Sequence, residues 1–260
     1  MVAVFLFLKN PMLSALKKHL LHNRFFAFNL INRDRWVAEQ ATRLPADCKV
    51  LDVGAGSCPY RHLFDHCEYR TQDVALLQGA QLRHGSYGRI DYIGDATAIS
   101  APDGEFDAVL CTEMLEHHPE PIRVVKELAR ILKPGGILLL TAPLGSGIHQ
   151  EPYHFYGGYT PYWYEKFLTE AGFGQITIEA NEGFYRFFSQ ESLRYLQLSA
   201  PWRVPAGFFV RVLWAPLWLI LVPFLGLLMP TLGMLIDGWD REKRFTVGYH
   251  VRAVRSGSVA

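Results

Sequence analysis

Short apolar runs, each closed by an acidic residue or a glycine, alternate with amphipathic stretches along the first two thirds of the chain. Val50, Leu51 and Val53 make Lys49 to Val53 a buried strand, which carries Asp52 near its end and breaks into Gly54, Ala55 and Gly56. Pro59 suits the first turn of a following helix. Glu68 to Val74 reads as a second strand closing on Asp73, Arg89 to Gly94 as a third followed by Asp95 and Ala96, and Phe106 to Cys111 as a fourth. Pro121 opens a helix with Ile122, Val125, Leu128 and Ile131 on one face. The run Lys133-Pro134-Gly135-Gly136 stops it before a strand at Ile137 to Thr141. A helix from Thr160-Pro161 to Gly172 leads to a strand at Gly174 to Glu179, and Phe245 to Val254 reads as the last strand. This rhythm predicts an α/β, doubly wound and mostly parallel sheet whose ligands sit outside the carboxyl ends of the strands.

The pattern changes at both ends. Val2 to Leu8 is apolar but too short to span a bilayer, and no small-residue cleavage site follows a basic start. Pro11 to Arg24 has Leu13, Leu16, Leu20 and Leu21 at helical spacing beside Lys17, Lys18, His19 and Arg24, which predicts a basic amphipathic helix that either packs on the domain or lies on an anionic membrane. A lead-in helix follows from Arg33 to Leu44, ended by Pro45. Further on, Val212 to Ile236 contains no charged residue over 25 positions, with Pro216, Pro223 and Pro230 at intervals of seven. A single crossing would strand the last strand on the wrong side of its own sheet, and two crossings need about 40 apolar residues. The expectation is therefore a proline-bent hairpin in one leaflet, with a buried helical cap or dimer interface as alternatives. Trp202, Trp214, Trp218 and Trp239, with Arg203 and Arg211, resemble interfacial anchors. The expected division is residues 1–44 for the lead-in helices, 45–182 for the core, 183–243 for a hydrophobic helical insert and 244–260 for the last strand and tail.

Composition narrows the function classes. A chain of 260 residues, half of them apolar, can bury a sizeable core. Net charge +1 makes no case for nucleic acid as partner. Cys48, Cys58, Cys67 and Cys111 include no CxxC pair, so reduced thiols are expected, with neither a zinc site nor a disulfide framework. No metal is expected.

Two glycines directly after a strand let a ligand approach the backbone. Asp73 follows Asp52 by 21 residues, the interval at which a doubly wound fold places a carboxylate to hold ribose hydroxyls. A nicotinamide dinucleotide fits less well, because the third glycine of its fingerprint falls on Pro59, which also removes an N–H that a pyrophosphate would use.

The set DVGAG, Asp73, Asp95-Ala96, FDAVLCTEMLEH and LKPGG, in this order, resembles the class I S-adenosylmethionine-dependent methyltransferases, in particular their small-molecule group. The resemblance covers roughly Arg35 to Phe173 and implies a Rossmann-like methyltransferase fold: a seven-stranded sheet with an antiparallel last strand. It implies S-adenosyl-L-methionine as cofactor, with Asp52, Gly54, Ala55 and Gly56 at its methionine part, Asp73 at its ribose and Asp95 with Ala96 at its adenine. Thr112, Glu113 and Leu115 would line the floor, and His117 matches the family's histidine after the fourth strand. The sequence departs from the commonest glycine pattern at Cys58.

Methyl transfer from a sulfonium is an in-line displacement, so the protein must hold the nucleophile in line and give its proton somewhere to go. The segment Gly145 to Tyr164 carries His149, Tyr153, His154, Tyr156, Tyr159 and Tyr162 at the ligand end of the sheet. In relatives a histidine here lies over the substrate; His154 is the nearest match and His149 the second, as catalytic base. The reading is an O-methyltransferase at the cytoplasmic face of a membrane, acting on a sugar, glycolipid or quinone-like small-molecule or lipid-linked acceptor. The alternatives are a non-catalytic cofactor-binding scaffold and a soluble dimeric methyltransferase.

Overall fold

The computed structural model describes residues 25–257. The expected amphipathic helix at Pro11 to Arg24 and the run Val2 to Leu8 lie outside the described residues. Two compact units are present: residues 33–181 with 247–257, and residues 25–32 with 182–246.

The larger unit is built on seven strands: β1 (Lys49–Val53), β2 (Glu68–Asp73), β3 (Tyr92–Ile93), β4 (Phe106–Thr112), β5 (Leu132–Pro143), β6 (Phe173–Ala180) and β7 (Gly248–Arg255). Their order is β3-β2-β1-β4-β5-β7-β6, and β7 alone runs antiparallel to its neighbours. The order reverses between β1 and β4, which opens a crevice at their carboxyl ends. Val50, Leu51 and Val53 are fully buried, as are Ala108 to Cys111 of β4, because helices and loops cover both faces of this parallel region. Helix α1 (Phe28–Ala41) precedes β1, α2 (Pro121–Ile131) follows β4, and α3 (Pro161–Glu170) precedes β6. Pro121 sits in the first turn of α2, whose Val124, Val125, Leu128 and Ile131 are buried against the sheet. Burying each such side chain contributes about 1.5–3 kcal/mol.

Several boundaries differ from the sequence reading. No α-helix follows Pro59; a single 3-10 turn, Arg61–Phe64, takes its place, since only Phe64 of this turn is buried and no apolar stripe continues. β3 has two residues rather than six, and β7 begins at Gly248 rather than Phe245. β5 begins directly at Leu132, paired with Phe106, and Gly135 at φ +80° carries the strand through the Lys133–Gly136 arch. Cys48 and Cys67, far apart in sequence, stand with sulfurs 3.0 Å apart at the starts of neighbouring strands.

The smaller unit pairs α4 (Phe184–Leu198) with a long helical run composed of α5 (Phe208–Pro223), a π-helical segment Phe224–Leu228 and α6 (Met229–Ile236). The expected hairpin does not form: the run from Phe208 to Trp239 is continuous over 32 residues. Pro216 lies inside α5, while Pro223 and Pro230 flank the π segment, where the Met229 N–H donates to the carbonyl of Phe224. Pro230 has no N–H to offer, and the Leu225 carbonyl instead accepts from the Ser192 hydroxyl at 2.9 Å. α4 is held at both ends by its partner. Asp237 accepts from the backbone N–H groups of Gly183 and Arg186 (2.7 and 2.9 Å), while the Trp218 and Trp214 indoles donate to the carbonyls of Leu196 and Ser199 (3.0 and 2.6 Å). These contacts satisfy groups that every helix terminus leaves open. Among the described residues, Phe208–Trp239 is the one helix long and apolar enough to cross a membrane. Much of its apolar surface faces outward, with Leu213 74% and Leu235 68% exposed.

Candidate functional site

The turn after β1 and the tip of β2 are tied into one object. The N–H groups of Gly54 and Ala55 donate to the Gln72 carbonyl at 2.9 and 3.1 Å. Asp73, almost fully buried, accepts from the Gly56 N–H through one oxygen (2.9 Å) and from the Ala75 N–H through the other (2.8 Å). Each oxygen keeps a lone pair for a ligand hydroxyl. Gly54 is at φ +72°, and a Cβ there would stand 2.5 Å from Cγ of Met114, so the turn after β4 presses directly on it. Cys58 adopts φ +52°, the left-handed geometry a glycine would take, and its side chain is buried.

These elements border a cavity of about 450 Å³ at the carboxyl ends of β1, β2 and β4. Asp52, Gly54, Ala55, Gly56, Asp73, Asp95, Ala96, Thr112, Glu113 and His117 all line it. Leu115 does not: its side chain is fully buried in the core, and Met114 takes the wall position. A one-residue shift in a tight turn reverses which side chain faces the ligand, and sequence order does not reveal that shift. Tyr60, His118 and Tyr153 also line the cavity, and Arg33, Arg83 and Gln150 do so without having been foreseen. They come from α1 and from long loops, where no periodicity marks a site.

Asp52 is 1% exposed and accepts a short hydrogen bond from the Tyr69 hydroxyl. Burial pushes its carboxyl up to about 7; the Tyr69 bond opposes the shift, the Asp73 charge adds to it, and Arg61 opposes it. Removing the Tyr69 donor destabilises the charged form, so Tyr69→Phe is expected to move the Asp52 midpoint to higher pH. Carboxyl-carbon NMR titration checks this, and an unmoved or lowered midpoint would refute it. On the opposite wall the Arg33 guanidinium pairs with Glu113 at 3.1 Å, and Thr141 donates to the same carboxylate at 2.9 Å. Asp95 is more open. Against the upward push of burial, hydrogen bonds from Thr97 and His118 hold its carboxyl below the usual range.

The loop after β5 closes the cavity from above. Its Phe155 N–H donates to the Glu116 carbonyl (2.9 Å) and its Tyr159 hydroxyl to the Leu115 carbonyl (2.8 Å). Gln150 donates to the Gln81 carbonyl and Gln81 donates back to the Glu151 carbonyl, each at 3.0 Å, which joins this loop to the one after β2. His149 and His154, expected over the acceptor, do not line the cavity; His117 does, and they stand behind it. The ring centres of His117 and His149 are 4.7 Å apart, those of His149 and His154 4.7 Å, and those of His117 and His154 5.6 Å. Burial pulls the His117 imidazole down to about 4, with His149 and His154 adding to the shift and the Tyr153 carbonyl opposing it. Burial and His149 also lower the His154 imidazole. His154 shares a 3.0 Å hydrogen bond with the Ser146 hydroxyl.

The donor set suits a cationic nucleoside ligand. Acceptors for hydroxyls stand at Asp73, carboxylates for positive groups at Asp52 and Glu113, a charged acceptor at the mouth at Asp95, and apolar walls at Val74, Leu77, Leu82 and Met114.

Comparison with known proteins agrees with this geometry. Residues 51–140 match a family model described as a methyltransferase domain. A ubiquinone biosynthesis O-methyltransferase of Xanthomonas campestris pv. campestris is 55% identical over 122 residues, 44% of this chain and 50% of the relative. One of Thiobacillus denitrificans is 39% identical over 112 residues, 40% of this chain and 47% of the relative. The chain thus spans about half the length of these curated relatives. Among solved structures, a protein provisionally named a sarcosine dimethylglycine methyltransferase from Galdieria sulphuraria superposes with TM-score 0.53 at 17% identity, covering 87% of this chain and 86% of that one. A SAM dependent methyltransferase from Archaeoglobus fulgidus gives TM-score 0.50 at 16% identity, over 86% and 94% of the two chains. Both show a shared fold.

Proposed function

From a core that is a class I S-adenosylmethionine-dependent methyltransferase domain, we propose that this protein transfers a methyl group to a hydroxyl of a quinone-like, amphiphilic acceptor at the cytoplasmic face of a membrane. The observation that carries the transfer is the Asp73 carboxylate bound to the glycine turn, bordering a cavity whose other walls match the donor. S-adenosylmethionine supplies an electrophilic methyl group on a sulfonium. Asp73 holds the ribose hydroxyls, Asp52 and Glu113 face the positive charges, and Asp95 with the Ala96 backbone takes the adenine edge. The loop after β5 excludes water from the crevice, which strengthens every polar contact inside it. His154 is assigned as the base that receives the acceptor's proton, with His149 as second choice.

The acceptor class is supported by the names of the relatives, which are ubiquinone biosynthesis O-methyltransferases. The membrane is supported by the outward-facing apolar surface of the Phe208–Trp239 run, far larger than single exposed apolar residues would leave. Exposed Trp202 before the run, Arg211 near its start and Trp239 at its end suit the headgroup level, whereas Trp218, expected as a further anchor, is buried against α4 and Trp214 donates to it.

Incubating the protein with labelled cofactor and separated membrane and soluble extracts tests this reading. Label is expected in an organic-extractable compound of the membrane fraction, with turnover reduced by roughly 10²-fold in His154→Ala. Label confined to the soluble fraction, with a detergent-free dimer, would instead favour an apolar dimer interface. Cofactor binding with no transfer to either fraction would favour a non-catalytic scaffold.

A further inference from the structure

Glu116 is the least explained polar residue of the larger unit. It is 1% exposed, one carboxylate oxygen has no hydrogen-bond partner, and among the described residues no Lys or Arg lies within ion-pair distance; the Nε2 of the neutral His117 imidazole is 3.7 Å from the other oxygen. A buried carboxylate in this state costs several kcal/mol unless it is protonated or meets a cation.

The two nearest histidines are arranged for the second possibility. His117 Nδ1 lies 2.6 Å from the Tyr153 carbonyl and His149 Nδ1 lies 2.9 Å from the Gly147 carbonyl. A carbonyl can only accept, so each Nδ1 carries the proton and each Nε2 keeps its lone pair. Anchoring the far ring nitrogen on a backbone carbonyl is how metal-binding imidazoles are commonly oriented. One ligand atom each from Glu116, His117 and His149 fall within 4.8 Å of one another. Tetrahedral coordination at zinc-type bond lengths needs about 3.4 Å between ligand atoms, a contraction of up to about 1.4 Å from the 4.8 Å limit. His149 sits on an exposed loop and can supply most of that movement.

We propose that Glu116, His117 and His149 hold a divalent transition-metal ion of the zinc class, which pins the loop after β5 onto the turn after β4. Two imidazole nitrogens and one carboxylate oxygen form a borderline donor set, suited to Zn²⁺ or Co²⁺ rather than to Mg²⁺, and leave a fourth position for water. The site uses no thiolate, so the cysteine spacing that argued against a metal does not bear on it. The backbone bonds from Phe155 and Tyr156 to the Glu116 carbonyl already set the two segments together, so the ion would close a nearly assembled site. The inference does not rest on the proposed methyl transfer.

The full chain, stripped with chelator and titrated with Co²⁺ without methyl donor or acceptor, is expected to take up one equivalent, develop visible absorption bands and release the ion to Zn²⁺. Backbone amides of residues 144–159 should exchange more slowly with metal bound. His149→Gln, at an exposed position that leaves the fold intact by circular dichroism, should weaken Co²⁺ binding by about 10-fold or more, and His84→Gln on another exposed loop should not. Glu116→Gln should weaken it as well while keeping side-chain size. Binding weaker than about 10⁻⁴ M, or binding unchanged by His149→Gln, would overturn the proposal. Failure of methyl transfer leaves the titration untouched, so the two readings are separable.

Discussion

Replacing Asp73 by alanine is expected to weaken S-adenosylmethionine binding by about 10²-fold or more, the larger loss among the cavity substitutions considered. The carboxylate accepts from the Gly56 and Ala75 N–H groups at 2.9 and 2.8 Å, and it is the acceptor assigned to the ribose. Hydrogen bonds to a charged group contribute about 1.5–3 kcal/mol each, and stranded buried donors add a further penalty. About 2.7 kcal/mol corresponds to 10²-fold in affinity. Asp73→Asn keeps the shape but offers one acceptor, so it should fall between the two. Titration calorimetry with S-adenosylmethionine and its demethylated product checks both. Equal affinity for the wild type and Asp73→Ala would remove Asp73 from the site and with it the strongest support for the cofactor assignment.

The second large effect lies in the helical unit. Gly233 faces α4 so closely that an added Cβ would stand 2.0 Å from the Ser189 hydroxyl oxygen and 2.5 Å from the Tyr185 carbonyl oxygen. The hydroxyl can rotate away; the backbone carbonyl cannot. Helix propensity alone favours Gly233→Ala by about 1 kcal/mol. Overpacking at a close helix crossing costs about 1–3 kcal/mol and at times more. Separation of the helices would also pull Asp237 away from the α4 N-terminus and the Ser192 hydroxyl away from the Leu225 carbonyl. The clash is therefore expected to win, with a net loss of about 2 kcal/mol and a melting temperature lower by about 4–8 °C. Gly238→Ala, where a Cβ meets nothing within 4 Å, should change stability by less than about 0.5 kcal/mol. A melting temperature raised by Gly233→Ala would show that propensity outweighs the crossing.

Much of the cavity lining was readable from local chemistry. Lys49 to Gly56 announces strand, turn and close ligand approach because glycine content and apolar runs are local properties. Asp73 and Asp95 could be placed because parallel strands put their carboxyl ends on one edge. Leu115 could not be separated from Met114, since both sit in an irregular turn whose facing is set by packing on Gly54. Arg33 and Arg83 were invisible for a related reason: their place at the cavity depends on the approach of segments remote in sequence.

The long apolar segment divides in the same way. Its length, lack of charge and three prolines are in the sequence, and with them the expectation of something other than an ordinary core helix. That the chain stays one helical run follows from tertiary partners, since the Leu225 carbonyl, which Pro230 cannot serve with an N–H, finds Ser192 on α4.

By itself, then, the sequence determined the α/β alternation, the glycine turn with its acidic partners and the presence of a long uncharged apolar segment, because each is written in spacing and side-chain type. Only the tertiary structure decided that Glu116, His117 and His149 meet, that Asp52 lies buried under Tyr69, and that Gly233 marks a helix crossing. Those facts depend on which distant residues share a small volume, and burial and close approach belong to that volume rather than to any residue in it.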